Sequence, residues 1–201
     1  MSTFPEILTD ENAKERHPDF KKALFDLNTK NVTAENCSHL IRIYTNTKEI
    51  SYRNKILKLL YNHQYPELQP FFEMACKKER YLDMKVHALR GWAQFAEERE
   101  IVKLVDKMKI SLAKTEKTTP YNYQEYELLR GKNALPFLVE KYNYASFKEF
   151  LTQVNEQYER MPDAFKGHIT TDEHGEIVLL RSPGEGSKMI RDFFDGLKSN
   201  T

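Results

Sequence analysis

The sequence predicts an all-α fold, an α-α superhelix of stacked helix pairs (a helix-pair solenoid), with a small C-terminal β-hairpin and a closing helix. Three observations predict it. Apolar residues recur at spacings of three and four along most of the chain, the period that lays one apolar stripe along a helix. Five of the seven glycines, Gly167, Gly175, Gly184, Gly186 and Gly196, fall after residue 166, and only Gly91 and Gly131 precede it. The first part is therefore nearly free of a residue that weakens helices. Related segments also return along the chain at intervals typical of helix-pair repeats.

The elements follow in order. Phe20, Ala23, Leu24 and Leu27 mark a first helix over 19–27, with Pro18 at its start, where a missing N–H is harmless. A second begins at Thr33, and its apolar face holds Cys37, Leu40, Ile41 and Tyr44. A third spans 51–61, with Tyr52, Ile56, Leu59 and Leu60 inward. Pro66 and Pro70 open a fourth, which buries Phe71, Phe72 and Ala75. Asp83 caps a fifth, with Val86, Leu89, Trp92 and Ala93 inward. A sixth carries Ile101, Val102, Leu104, Val105 and Met108, and residues 115–121 read as a loop after it. Helices over 123–130, 134–142 and 147–158 follow. The tail then changes character. Residues 167–171 and 176–180 are β-prone around a turn at Asp172-Glu173-His174-Gly175, the pattern of a hairpin. A last helix is expected over 187–197, with Met189, Ile190, Phe193, Phe194 and Leu197 apolar. This divides the chain into a helical-repeat domain, 1–165, and a C-terminal hairpin plus helix, 166–201, packed on it.

Composition narrows the function classes. Charge is balanced, 31 basic against 30 acidic residues, whereas a dedicated nucleic-acid binder usually carries a basic excess. Cys37 and Cys76 are too few and too far apart for a disulfide framework, and they read as buried free thiols. No apolar run reaches membrane-spanning length, and the start, Met1-Ser2-Thr3-Phe4-Pro5-Glu6, lacks the order of a signal peptide. The expected location is cytoplasmic, with no cofactor.

The repeat signal lies between residues 48 and 142. Tyr52-Arg53 and Ile56-Leu57 lead to Pro66-Glu67-Leu68-Gln69-Pro70. Asp83 with Val86 leads to Glu100-Ile101-Val102, and Leu89-Arg90-Gly91 returns as Leu129-Arg130-Gly131 ahead of Asn133-Ala134-Leu135-Pro136. This pattern resembles the HEAT-like (armadillo-type) helical repeat family. That family places an Asp ahead of a Val-Arg pair on one helix and a Pro-Glu-Ala-Leu-Pro-like turn ahead of the next. Here His87 stands where the Arg after Val86 is usual. The resemblance implies a non-catalytic module that binds another protein, as an adaptor or a toxin-neutralising (immunity) protein. It also carries an alternative, a nucleic-acid-binding protein or DNA base-repair enzyme with a basic concave face lined by Arg90, Trp92 and a lysine ridge.

Few residues suggest chemistry directly. None of the six histidines pairs with another His or Cys at metal-ligand spacing, so no metal is expected. Tyr121, Tyr123 and Tyr126 beside Arg130 are residue types favoured as interface anchors. Together with Arg90 and Trp92 they form the expected interaction surface, with ordinary packing as the other reading. Gly184, Gly186 and Lys188 lie in a glycine-rich segment ahead of the expected last helix, where backbone N–H groups can meet a phosphate. The Walker spacing is absent, and a turn capped by Ser182 or Ser187 is the alternative there. Lys103, Lys107 and Lys114 fall on one helical face, with Lys109 and Lys117 nearby, and fit either phosphate contact or a solvated surface.

Overall fold

A computed structural model describes residues 4–199. Within it the chain is all-α apart from one two-stranded hairpin. It divides into two compact units, Met1–Ala96 and Glu97–Thr201.

The first unit contains α1 (Glu6–Thr9), α2 (Pro18–Asp26), α3 (Cys37–Asn46), α4 (Ile50–Leu60), α5 (Leu68–Lys78) and α6 (Leu82–Trp92). They pair consecutively, α1 with α2, α3 with α4, and α5 with α6. Alternate helices also meet. The even-numbered helices pack α2 on α4 and α4 on α6, and α1 packs on α3. Tyr44 of α3 meets Phe71 of α5 edge to face at 5.0 Å. The unit is thus two layers of helices, and each pair closes its apolar stripe on the next. The stripes read from the sequence are the core: Phe20, Leu24, Leu40, Ile56, Leu60, Phe72, Val86 and Leu89 are all buried.

Local signals set the helix starts. Pro18 stands at the first turn of α2, and the His17 Nδ1 accepts from the Asp19 N–H at 3.3 Å. Asn36 Oδ1 accepts from the Thr33 N–H at 2.9 Å, a tight turn that delays α3 to Cys37. Asp83 lies inside the first turn of α6, and Tyr81 takes the cap position.

The second unit is organised differently. It comprises α7 (Glu98–Thr118), α8 (Tyr123–Arg130), α9 (Leu135–Tyr142), α10 (Ala145–Arg160), β1 (Ile169–Thr171), β2 (Ile177–Leu179) and α11 (Pro183–Ser199). Here α10 is central and packs against α7, α8 and α9. Its inward face is Phe147, Phe150, Val154 and Tyr158. Polar arms reinforce the contact with α7: Gln153 Nε2 donates to the Lys109 carbonyl at 2.9 Å, and Gln157 Nε2 to Glu116 Oε2 at 3.0 Å.

Two further expectations shift. The loop expected over 115–121 starts only after Thr118, because α7 continues through a last turn that is polar and mostly exposed. Such a turn has no apolar stripe to read. The last helix begins at Pro183 rather than Ser187, so Gly184 and Gly186 belong to its first turn. Ser182 caps it: its Oγ accepts from the Glu185 N–H at 3.3 Å, and Glu185 Oε2 accepts from the Ser182 N–H at 3.0 Å, a reciprocal capping box.

The hairpin is where the sequence puts it. β1 and β2 run antiparallel with Ile169 opposite Leu179, Thr170 opposite Val178 and Thr171 opposite Ile177. It is anchored on the α8–α9 corner. Asn133 Nδ2 donates to the carbonyls of Asp172 and Glu173 at 2.9 and 2.8 Å. A Cβ on Gly131 would lie 2.4 Å from Thr171 Oγ1, so this close approach requires glycine.

Candidate functional site

Each unit contains a cluster of buried or half-buried polar side chains. In the first, Glu79 is buried at the end of α5. It accepts from Arg53 Nε at 2.8 Å and Arg53 Nη2 at 3.3 Å, and from the Tyr44 hydroxyl at 2.5 Å. Burial first, then the Glu79 bond, pushes the Tyr44 phenol well above its usual range, and the Glu79 bond raises Arg53. Every partner is engaged, and the cluster ties α3, α4 and the end of α5 together. Its chemistry is that of a structural lock.

Arg90 is buried too, at 5% exposure. Its guanidinium lies 4.0 Å from the Tyr61 ring centroid and donates to Asn62 Oδ1 at 2.8 Å. The second unit repeats the motif. Arg130 lies 3.8 Å from the Tyr158 ring centroid and donates to Asn155 Oδ1 at 3.0 Å. The echoed Leu-Arg-Gly triplets therefore share one local construction: a buried Leu, an Arg stacked on Tyr and held by Asn, and a close-approach Gly. A guanidinium held this way is committed to its own unit. Trp92, two residues beyond Arg90, is half-buried at the end of α6.

The tyrosines are equally engaged. Tyr121 stacks on Phe165 with centroids 4.5 Å apart and meets Phe193 and Phe194 of α11 edge to face. Tyr123 lies 4.7 Å from His168. Tyr126 is buried, its hydroxyl 3.4 Å from Gln157 Oε1, and burial pushes its pKa up to about 12. Glu127, between them, was not singled out in the sequence. Its Oε1 accepts from the Tyr158 hydroxyl at 2.6 Å and from the Gly167 N–H at 2.7 Å. Gly167 has a φ of +66° at this strap, a conformation that favours glycine. These aromatics hold α11 and the hairpin onto α8 and α10.

The glycine-rich segment is also satisfied internally. The Glu185 carboxylate occupies the anion position at the start of α11, where Ser182 bonds first, then Arg181, lower its pKa. Lys188 pairs with Asp192 at 2.6 Å. Gly186 faces His168, and a Cβ added there would lie 2.7 Å from His168 Nδ1. It is the point where α11 crosses the 168 strap.

Among the described residues two exposed stretches stand out. One is β2 and the residue after it. Ile177, Val178, Leu179 and Leu180 are 58, 40, 60 and 57% exposed, an unbroken apolar run on the outer strand of the hairpin. Phe194 and Leu197 of α11 are exposed as well. The other is a stripe along α7. Lys103, Lys107, Lys114 and Lys117 are exposed, with exposed Ile110 among them. Among the described residues none of these four lysines makes an ion pair, whereas Lys109 pairs with Glu149 at 2.8 Å. The first unit adds a shallow open depression of about 460 Å³ lined by Pro5, Ile7, Asp19, Lys22, Ala23 and Leu27. It brings no nucleophile and base together.

Both cysteines are buried and reduced, and burial raises both thiols. Among the described residues no group of three or more His, Cys, Asp or Glu side chains converges on a metal position, and no helix is long and apolar enough to cross a membrane. None of the protein-family models, curated proteins or solved structures compared with the chain matches it.

Proposed function

We propose that this chain is a non-catalytic protein–protein interaction module of the HEAT-like class, acting in the cytoplasm as an adaptor, and that its contact surface is the C-terminal hairpin. The exposed apolar run Ile177–Leu180 carries this reading. Contiguous apolar surface of this kind is disfavoured by water unless something covers it. Pairwise helix stacking in the first unit and the doubled Leu-Arg-Gly construction support the class.

The experiment is in-cell photo-crosslinking from position 179 with mass spectrometry, run on the natural chain and on an Ile177→Lys/Leu179→Lys variant. A defined protein adduct should form with the natural sequence and be lost from the variant. No adduct, or an adduct unaffected by the double substitution, overturns the assignment of the hairpin.

The lysine stripe on α7 favours a second reading, contact with nucleic-acid phosphates. If all four unpaired lysines bind phosphate, log affinity for duplex DNA should fall with log salt at a slope of about −3 to −4. Lys103→Glu/Lys107→Glu/Lys114→Glu should abolish that binding. No salt-sensitive binding at micromolar protein ends this reading.

A further inference from the structure

The free edge of β2 presents a short, ordered set of backbone groups. Leu180 donates its N–H to the His168 carbonyl at 3.0 Å, and Asp172 donates to the Glu176 carbonyl at 2.9 Å. Hydrogen-bonded pairs alternate in an antiparallel ladder, so the Thr170–Val178 pair between these two is also hydrogen-bonded across the hairpin. The backbone groups of Val178 are thereby used inward. Those of Ile177 and Leu179 point outward along the open edge, one residue to each side of Val178. Among the described residues nothing takes them up.

We propose that this edge is a homodimerisation strand, on which β2 pairs antiparallel with β2 of a second copy about a two-fold axis at Val178. The proposal deepens the protein-binding reading by naming the partner of the same strand. The edge is self-complementary, since its three residues are apolar and two copies can pair without opposing like charges. A two-fold axis perpendicular to a pair of antiparallel strands must pass through a residue opposed to its own copy. With Val178 on the axis, Ile177 of one copy lies opposite Leu179 of the other, and the outward groups of both meet in hydrogen-bonded pairs. All three strand residues then find partners. Cross-strand neighbours are apolar on both faces, Ile177 with Leu179 on one and Val178 with its copy on the other. Such pairs stabilise sheets, and no like charges stand opposed.

The sequence of the strand agrees. Exposed edges are usually blunted by Lys, Pro or a bulge, and Ile-Val-Leu-Leu contains none of these. An isolated two-stranded sheet is marginal, and pairing makes four strands. The contact is small, a few residues per copy against the roughly 800 Å² per partner of a standard interface. The dimer should accordingly dissociate in the micromolar range, about 1–100 μM.

Sedimentation of the full chain over a concentration series reads the dimer, and charge substitution reads its register. Ile177→Lys/Leu179→Lys places like charges opposite each other at both ends and should weaken dimerisation at least tenfold, the scale of about 1.4 kcal/mol. Ile177→Lys/Leu179→Glu places opposite charges there and should retain it. Val178→Cys should form an intermolecular disulfide under mild oxidation, since directly opposed non-hydrogen-bonded residues have Cα atoms about 4.5 Å apart. Ile177→Cys should not. A chain that stays monomeric throughout the series overturns the proposal, as does a dimer insensitive to both double substitutions. If the chain is monomeric but the crosslinked adduct of another protein is lost in the Lys/Lys variant, this inference falls and the protein-binding reading stands.

Discussion

At the scale of single residues, the strongest constraints are close approaches and one buried charge. A Cβ on Gly91 would lie 2.3 Å from the Phe72 ring, so α5 and α6 approach as near as they do only because position 91 has no side chain. Gly91→Ala gains up to about 1 kcal/mol of helix preference, and the overpacking it forces costs about 1–3 kcal/mol. Net destabilisation is expected, measured as a lower denaturant midpoint, and Gly91→Ala with Phe72→Leu should lose less than the two single losses added. Glu79 has no exposed side-chain surface and answers both Arg53 and Tyr44. Removing it strands a partly buried guanidinium, so Glu79→Ala should cost about 3–5 kcal/mol. Arg53→Met with Glu79→Leu should cost much less, because no charge is then left alone. None of this was legible in the sequence. Arg53 and Tyr44 lie 26 and 35 residues from Glu79, and no periodicity links them. The Leu-Arg-Gly echo was legible as a repeat, but its content, an Arg stacked on a Tyr, required the fold.

At the scale of elements, legibility follows the apolar stripe. Helix α4 was expected over 51–61 and spans Ile50–Leu60, because Ile56, Leu59 and Leu60 are both periodic and buried. The hairpin was expected from β-prone runs around a turn, and its register follows from that turn. Where burial does not write the pattern, the sequence misleads. The short α1 offers too few residues for a period. The end of α7 offers only polar ones. The start of α11 resembled a phosphate loop because Gly184 and Gly186 stand there, yet the Ser182–Glu185 box was a capping signal of equal strength. Its weight is testable. Ser182→Ala should cost about 1 kcal/mol, read as earlier protection loss in α11 by amide exchange, while α10 stays protected. The Tyr121–Tyr126 region reads from the sequence either as an interaction surface or as ordinary packing, and Tyr121 and Tyr123 pack against Phe165 and His168. Tyrosine serves both purposes with the same amphipathic ring, so residue type alone cannot separate them.

At the scale of the whole molecule, the pH dependence of stability is set in part by a histidine buried without a full set of partners. His87 of α6 lies beside the Tyr61 ring, and its Nδ1 is buried with no hydrogen-bond partner. Burial, then the charges of Lys58 and Arg90, lowers its pKa from 6.5 to about 3. In the unfolded chain the ring takes up a proton near pH 6.5, and in the folded chain it stays neutral. Protons therefore favour the unfolded state, and stability falls as pH drops from 6.5 towards 3. Asp83, four residues earlier, acts in the opposite sense, since burial raises its pKa from 3.8. Between pH 7 and pH 5.5 the titration of His87 should cost the natural chain about 1 kcal/mol, measured by urea unfolding at each pH. His63, also lowered by burial, adds to the same slope. His87→Leu removes the titrating group and the unpaired nitrogen at similar volume, so its stability should change less over that range and exceed the natural chain's at pH 5.5. A variant with the full natural slope would assign the pH dependence to His63 and place the ring of His87 in contact with water.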